Sequence, residues 1–323
     1  MKILFLYITS RKYGTGHFKR VVNYQNALCK YNFITNKLNL QKINLSKKQD
    51  RFLKIFKKFD IIIIDVSNKY FIKSKIEIQK LKIIFYYFKK KIGIIDGLRE
   101  EQLACQKNFK SKFVIIPYFF TKKDYTRIRA KYFFGPEYLF NQNKIRERER
   151  KKIKNILITS GGSDLNKSIL KIIKLLSKIK EKKFKLKILL GPFFKKEYVK
   201  KIFDYCYKKS LDFKLINFKK NIKFNLKNTD LVITSSGLTK YDLLSLNIPL
   251  IVFCENRLQR ILNKGFEKKN ICLNLSNLNN TNNNLKLLKK FLYQKNFKKP
   301  NYKRYLAYHL KKKTLIKYLR NEF

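Results

Sequence analysis

Short apolar runs alternate along this chain with stretches that have the periodicity of amphipathic helices, and this alternation restricts the fold more than any other feature. The runs Lys2–Ile8, Phe59–Val66 and Phe113–Pro117 have the length of strands and are almost continuously apolar. Strands have this nearly continuous apolar composition when helices cover both faces of a parallel sheet. The pattern therefore predicts an α/β fold with parallel strands. The other predicted strands are Lys91–Ile95, Asn155–Thr159, Phe184–Leu190, Asp230–Thr234 and Pro249–Cys254.

The alternation is interrupted once, between Asn141 and Lys154, where a charged run replaces the apolar pattern. At about 150 residues per domain, a chain of 323 residues has room for two domains. We therefore expect two Rossmann-like, doubly wound domains that face a central cleft, over residues 1–142 and 155–300. A basic helical tail is predicted over residues 301–323, and the asparagine-rich stretch Asn277–Asn284 is predicted to be a loop.

The chain carries 77 Lys and Arg against 21 Asp and Glu, a net charge of +56. The basic residues are spread over nearly every segment, together with an excess of other residues whose codons are rich in A and T. We attribute most of the charge to drift in base composition, and since no zinc-finger spacing or RNA-binding motif is present, we expect no nucleic acid partner. A basic nucleic-acid-binding protein stays an alternative that charge concentrated on one face would favour. A positive surface also attracts anionic lipid, so peripheral contact with a membrane is an open expectation.

The five cysteines are widely spaced and form no Cys-x-x-Cys pair, which predicts free, buried thiols in a reducing compartment and no zinc site. No stretch approaches the roughly 20 apolar residues of a membrane span, and the apolar N-terminal segment is too short for a signal sequence. We therefore expect a monomeric cytoplasmic protein, with the possible membrane contact on the inner face.

The first candidate site is the turn after Lys2–Ile8, which contains Gly14 and Gly16 and leads into a helix with His17 and Arg20. Glycines allow the backbone to approach a ligand, and a helix N-terminus attracts anions. The helix dipole disfavours a charged imidazolium there, so a neutral His17 would be available as a base. The alternative is that His17 only caps the helix. The second histidine, His309, lies in the basic tail and is predicted to be a surface residue.

The second candidate is the turn Gly161-Gly162-Ser163-Asp164, which follows the strand Asn155–Thr159. Its amides and hydroxyls suit a phosphate, and Asp164 is placed to cap the next helix. A tight turn with an aspartate cap explains the same residues equally well.

The third candidate follows Asp230–Thr234 and contains Ser236, Gly237, Leu238 and Thr239, with Asp242 one turn into the next helix. Small hydroxylated residues at a helix start suit a diphosphate, and a carboxylate can accept hydrogen bonds from both hydroxyls of a ribose. The alternative is a capped helix with an incidental acid in its first turn.

In this order, the motifs Gly14-x-Gly16-His17-x-x-Arg20, Gly161-Gly162-Ser163-Asp164 and Gly237-Leu238-Thr239-x-x-Asp242 resemble those of nucleotide-sugar enzymes with the two-domain GT-B architecture. The resemblance is closest to the UDP-2,4-diacetamido-2,4,6-trideoxy-β-L-altropyranose hydrolases of pseudaminic acid biosynthesis and their spore-coat polysaccharide relatives. The N-acetylglucosaminyltransferases that make lipid II are more distantly similar.

The resemblance implies that His17 is the general base for a water that attacks a UDP-sugar, and that Gly14 and Gly16 help to hold the diphosphate. It also implies that Thr239 and Asp242 contact phosphate and ribose and that Asn256 lies near the sugar. The implied function is release of UDP from a di-N-acetylated deoxy sugar in surface-glycan or nonulosonic acid biosynthesis, without a cofactor or metal. The alternative is a GT-B glycosyltransferase that uses a UDP-sugar donor.

Overall fold

The computed structural model describes residues 1–10, 12–43, 45–118, 125–126, 130–140, 153–180, 183–218, 225–244, 248–268, 271–275, 277–293 and 308–323. Two compact units are present, one formed by Met1–Gln142 with Leu306–Phe323 and the other by Asn143–Tyr305. Most of the predicted boundary between Asn141 and Lys154 lies outside the described residues, as does the first part of the predicted tail, residues 301–307.

The first unit is built on a six-stranded parallel sheet with the strand order β2-β1-β3-β4-β5-β6. β3 is buried along its whole length, as its run of isoleucines predicts. The chain adds β2 on one side of β1 and β3 on the other, so the sheet has a topological switch point between β1 and β3. The strands are β1 (Lys2–Tyr7), β2 (Ile34–Asn39), β3 (Ile61–Asp65), β4 (Ile92–Ile95), β5 (Phe113–Ile116) and β6 (Lys131–Phe134).

The α-helices that the structure describes between these strands are α1 (Gly16–Cys29), α2 (Leu45–Lys57), α3 (Lys69–Ile72) and α4 (Lys75–Phe88). α1 buries Val21, Tyr24 and Leu28, which recur at helical spacing, against the apolar core that contains Ile3 and Phe5 of β1. This packing holds the first turn of α1 at the carboxyl ends of the central strands.

The second unit has its own six-stranded parallel sheet, in the order β12-β11-β10-β7-β8-β9, with the switch point between β7 and β10. The strands are β7 (Asn155–Thr159), β8 (Lys185–Leu190), β9 (Phe213–Asn217), β10 (Leu231–Ser235), β11 (Leu250–Phe253) and β12 (Leu273–Leu275). The helices are α5 (Ser168–Leu176), α6 (Lys196–Lys208), α7 (Thr239–Leu244), α8 (Arg257–Lys268) and α9 (Thr281–Tyr293).

The last helix, α10 (Tyr308–Glu322), is part of the first unit. The sequence analysis predicted a helical tail here that belongs to neither domain. Residues Leu315 and Leu319 of α10 join the core of the first unit, and the Tyr318 ring packs against Phe113 and Phe133. No helix among the described residues has the length and apolar character needed to cross a bilayer.

The structure confirms the predicted α/β architecture with a parallel sheet in each of two Rossmann-like units. The prediction that Asn277–Asn284 is a loop is wrong for its second part, because α9 begins at Thr281. The prediction that the cysteines are buried is wrong for Cys29 and Cys105, which are exposed; all five thiols are free.

Candidate functional site

The first candidate site lies at the switch point of the first unit, where β1 and β3 end side by side. Asp65 is the last residue of β3 and pairs in register with Tyr7, the last residue of β1. The chain leaves β1 through a turn closed by a hydrogen bond of 2.7 Å from the Gly14 amide to the Ser10 carbonyl. Gly14 has a φ of 73°, a conformation that favours glycine. The turn delivers His17 to the first turn of α1, at the same edge of the sheet as Asp65.

His17 contacts the carboxylate of Asp65, with 2.7 Å between Nδ1 and Oδ1. Asp65 is fully buried, and His17 exposes only 7% of its surface. Because an ionised carboxylate can only accept a hydrogen bond, Nδ1 is the donor in this contact, and in the neutral tautomer of the ring Nε2 is the nitrogen with the lone pair. From the sequence, the helix dipole is the influence expected on His17, and the structure adds a carboxylate that orients the ring.

Arg20 binds the same carboxylate from the next turn of α1. Its Nε donates to Oδ2 of Asp65 over 2.7 Å, Nη2 donates to Oδ1, and Nη1 donates to the Tyr118 hydroxyl. The sequence analysis placed Arg20 in the first candidate binding site, and in the structure its guanidinium is buried and occupied by these protein groups. Burial by itself would raise the pKa of Asp65, yet the charge of Arg20 and the hydrogen bonds from Arg20 and His17 outweigh it and hold that pKa below its usual value.

A second acidic side chain lies near this cluster and was not singled out in the sequence. Glu101 follows β4, packs its Cβ close to Gly97, and accepts a hydrogen bond from the backbone amide of Lys69. Burial raises the pKa of Glu101 to about 7, with a further contribution from the charge of Glu100. Its place in a polar run after β4 carries no signal that distinguishes it from a surface acid.

In the second unit, the Gly161–Asp164 turn follows β7 at the switch point of that sheet. Gly161 has a φ of 86°, and its amide donates to Oγ1 of Thr159 over 3.1 Å. The carbonyl of Gly162 accepts from the amide of Phe193 over 3.0 Å, while Ser163 is half-buried. Two backbone groups of the predicted phosphate turn are therefore already bonded within the protein.

Asp164 caps the start of α5, as both interpretations of this turn predicted. Its carboxylate accepts from the backbone amides of Ser168 and Ile169 over 2.7 and 2.9 Å and from the Tyr198 hydroxyl over 2.6 Å. These bonds satisfy amides at the helix start that otherwise have no partner within the helix.

The third predicted turn lies beside the second, because β10 is the neighbour of β7. The Ser235 hydroxyl donates to the carbonyl of Ser160 over 2.9 Å and so joins the two turns. Gly237, Leu238 and Thr239 are half-buried, and Thr239 begins α7. Asp242 lies in the first turn of α7 and is 6% exposed.

Asn256 lies just after β11, the next strand of the sheet, and caps α8 by accepting from the Gln259 amide over 2.8 Å. Beside it, Glu255 accepts from the Ser168 hydroxyl over 3.2 Å, which connects this segment to the start of α5. Burial and the charge of Asp164 raise the pKa of Glu255 to about 7. The structure thus brings the predicted residues of the second unit together at one edge of its sheet.

The structure adds two side chains to this set, Glu255 and the buried Lys240 of α7. Glu255 stands beside the predicted Asn256 in the sequence, but neither residue type nor spacing indicates that it is buried. Within the described part of the chain, no group of three or more His, Cys, Asp or Glu residues is arranged to hold a metal ion.

Comparison with solved structures shows the fold of the chain as a whole. It is similar to a UDP-GlcNAc 2-epimerase from Methanocaldococcus jannaschii, solved with UDP-GlcNAc and UDP (14% identity, 99% and 100% of the two chains, TM-score 0.58). It is also similar to MurG from Acinetobacter baumannii (10% identity, 99% of both chains, TM-score 0.57). A glycosyltransferase from Rickettsia africae gives a TM-score of 0.63 at 10% identity, over 99% and 98% of the two chains.

Among curated proteins, the uncharacterized protein MJ1062 of M. jannaschii is 35% identical over 147 residues, 43% of this chain. The matched region is 30% of MJ1062, so the chain spans less than a third of that relative. A family model, the glycosyltransferase family 28 C-terminal domain, matches residues 155–318, slightly more than half of the chain. With its GT-B-like pair of parallel sheets, the chain belongs to the family defined by this glycosyltransferase family 28 C-terminal domain.

Proposed function

We propose that the protein is a UDP-sugar hydrolase that releases UDP from a di-N-acetylated deoxy sugar, in the biosynthesis of a surface glycan or nonulosonic acid. The observation that carries the proposal is the hydrogen bond of 2.7 Å between Nδ1 of His17 and the buried carboxylate of Asp65. A histidine oriented by a carboxylate is an arrangement suited to a general base. The family match and the UDP-bound structural neighbour support a nucleotide sugar as the substrate class.

In the proposed reaction, Asp65 holds the Nδ1 proton of His17, and Nε2 takes a proton from a water molecule. The water oxygen forms a bond to the anomeric carbon of the sugar while the bond from that carbon to the diphosphate oxygen breaks. The electron pair leaves with UDP, and the proton stays on Nε2 until solvent removes it. Arg20 contributes by keeping Asp65 ionised, since the guanidinium lowers the pKa of that carboxyl.

Residues at the switch point of the second unit would bind the nucleotide. The Ser236–Thr239 turn would contact the diphosphate, Asp242 the ribose and Asn256 the sugar. Backbone amides aimed at the leaving diphosphate stabilise the charge that develops as the bond breaks.

The test is incubation of the purified protein with UDP-sugars and no acceptor, with free UDP and free sugar as the measured products. His17→Asn should lower turnover by roughly 10²–10⁴-fold, the usual contribution of general acid–base catalysis, while UDP binding persists. The matched control is His309→Asn, since the chain has only these two histidines. Full activity of the His17 variant would remove this residue from the mechanism.

The second candidate is a glycosyltransferase, in which His17 activates an acceptor hydroxyl instead of water. The family match favours it, as does an exposed surface of the first unit on α4. There Tyr86 and Tyr87 are exposed next to the exposed Lys89 and Lys90, a combination that suits the interface of an anionic membrane. UDP release that requires an added acceptor, together with binding to anionic vesicles, would support transfer over hydrolysis.

A further inference from the structure

Lys240, the second residue of α7, is a fully buried lysine in the second unit. Its Nζ donates to Oγ of Ser236 over 2.8 Å and to Oδ1 of Asn263 over 3.4 Å. The ammonium also lies 4.2 Å from the centre of the Phe266 ring. Within the described residues no carboxylate forms an ion pair with it. A buried cation without a counter-ion is costly, so this residue lowers the stability of the fold in which it sits.

Hydrogen bonds connect Lys240 to two segments of the candidate nucleotide site. Ser236 accepts from Lys240 and donates its own hydroxyl hydrogen to the carbonyl of Gln259 over 3.2 Å. Gln259 in turn bonds to both residues that precede α8: its side chain accepts from the Glu255 amide, and its amide donates to the Asn256 side chain. Hydrogen bonds thus connect one ammonium group, through Ser236 and Gln259, to both the Ser236–Thr239 turn and the start of α8.

We infer that Lys240 is a positioning residue for a nucleoside diphosphate, with its ammonium holding Ser236 and the start of α8 in place and its charge balanced by the bound diphosphate. The inference rests on the proposed function insofar as the ligand is a nucleoside diphosphate. It explains why a side chain that destabilises the free protein occupies this position, because the missing negative charge arrives with the ligand.

Among the groups in contact with Lys240, its own amine is the one whose charge changes near pH 8, and Glu255, which Gln259 connects to this network, changes charge at a lower pH of about 7. Burial lowers the pKa of Lys240 to about 8, with the nearby thiols of Cys272 and Cys254 acting in the opposite direction. Burial also raises the pKa values of Cys254 and Cys272 to about 11 and about 12, so both stay neutral. The charges of Glu267 and Arg260 act on these thiols from α8.

A bound anion favours the protonated amine and raises the pKa of Lys240 in the complex, so ligand affinity is full below the pKa of the free protein. The affinity then falls as pH rises through about 8 and the amine loses its proton.

The test measures UDP and inorganic pyrophosphate binding by calorimetry from about pH 7 to about pH 9.5, with thermal melting of the same samples. Lys240→Met should weaken UDP binding by on the order of 10- to 100-fold at neutral pH, because the turn loses the charged donor that holds Ser236 in place. It should also flatten the pH dependence and raise the melting temperature, because a buried charge is removed. Lys264→Met, which removes an exposed lysine from α8, is the matched control and should change none of these.

Ser236→Ala provides a second variant that keeps the cation and removes its acceptor. It should weaken UDP binding and move the loss of affinity to lower pH, and the double variant should bind no more weakly than Lys240→Met alone. A purely structural lysine predicts the opposite result for Lys240→Met, a lower melting temperature with unchanged affinity and pH profile, and that result would overturn the inference. Wild-type protein that binds neither UDP nor pyrophosphate would count against the proposed function itself.

Discussion

Replacement of Asp65 by Asn tests the buried cluster of the first unit most directly, because it removes one charge and changes almost nothing in shape. Arg20 would keep its place with 3% of its surface exposed and would lose the carboxylate that it contacts through two nitrogens. Loss of one partner from a buried ion pair costs about 3–5 kcal/mol, because the remaining charge stays buried and unpaired. We therefore expect Asp65→Asn to lower the free energy of unfolding of the first unit by that amount.

The cost should be recovered in part when Arg20 is also replaced. In the double variant Asp65→Asn/Arg20→Met no unpaired cation remains, so the two losses should fail to add, with a coupling energy of about 2 kcal/mol or more. The chain has no tryptophan, so urea unfolding should be followed by far-UV circular dichroism, with hydrogen exchange on peptides from α1 and β3. Peptides from β7 and β10 in the second unit serve as the internal control.

Two results would refute this reasoning. A loss below about 1 kcal/mol for Asp65→Asn would mean that water or another group replaces the carboxylate at Arg20, and the cluster would not be the buried pair described. Strictly additive losses in the double variant would mean that Asp65 and Arg20 act on stability independently.

Two further predictions concern acid stability and the turn after β7. Because the pKa of Asp65 is lowered in the folded protein, its contribution to stability is complete above the unfolded value of about 3.9 and is lost as pH falls through the folded value. Relative to an unfolded reference peptide at the same pH, hydrogen exchange of α1 should therefore accelerate in the acid range in the wild type. The check is an Asp65→Asn variant, which should lack this pH-dependent step. Gly191→Ala places a Cβ about 2.1 Å from the carbonyl oxygen of Gly161, so it should cost about 1–3 kcal/mol of stability in urea unfolding. The control is Gly237→Ala, whose Cβ meets nothing closer than 3.9 Å. Equal stability of the two variants would contradict the close packing of the turn after β7.

The eight predicted strands are the inner strands of the two sheets, and the four strands without a sequence prediction, β2, β6, β9 and β12, are all edge strands. Inner strands are buried on both faces, so their residues form nearly continuous apolar runs in the sequence. Edge strands keep exposed positions, as Ile34–Asn39 and Phe213–Asn217 do, so their residues do not form such runs. The fold class was predictable for this reason, whereas the full sheets were not.

Local sequence patterns are sufficient to predict the parallel α/β units and the turns that contain Gly14, Gly161 and Gly237, because apolar periodicity and glycine act over a few neighbouring residues. Which distant groups meet is visible only in the folded chain. Folding brought Asp65 to His17 across 48 positions of the chain, returned α10 to the first unit, and enclosed Lys240 where the sequence shows an ordinary lysine. Such contacts depend on strand order and on what packs above each side chain, and neither quantity is contained in local spacing.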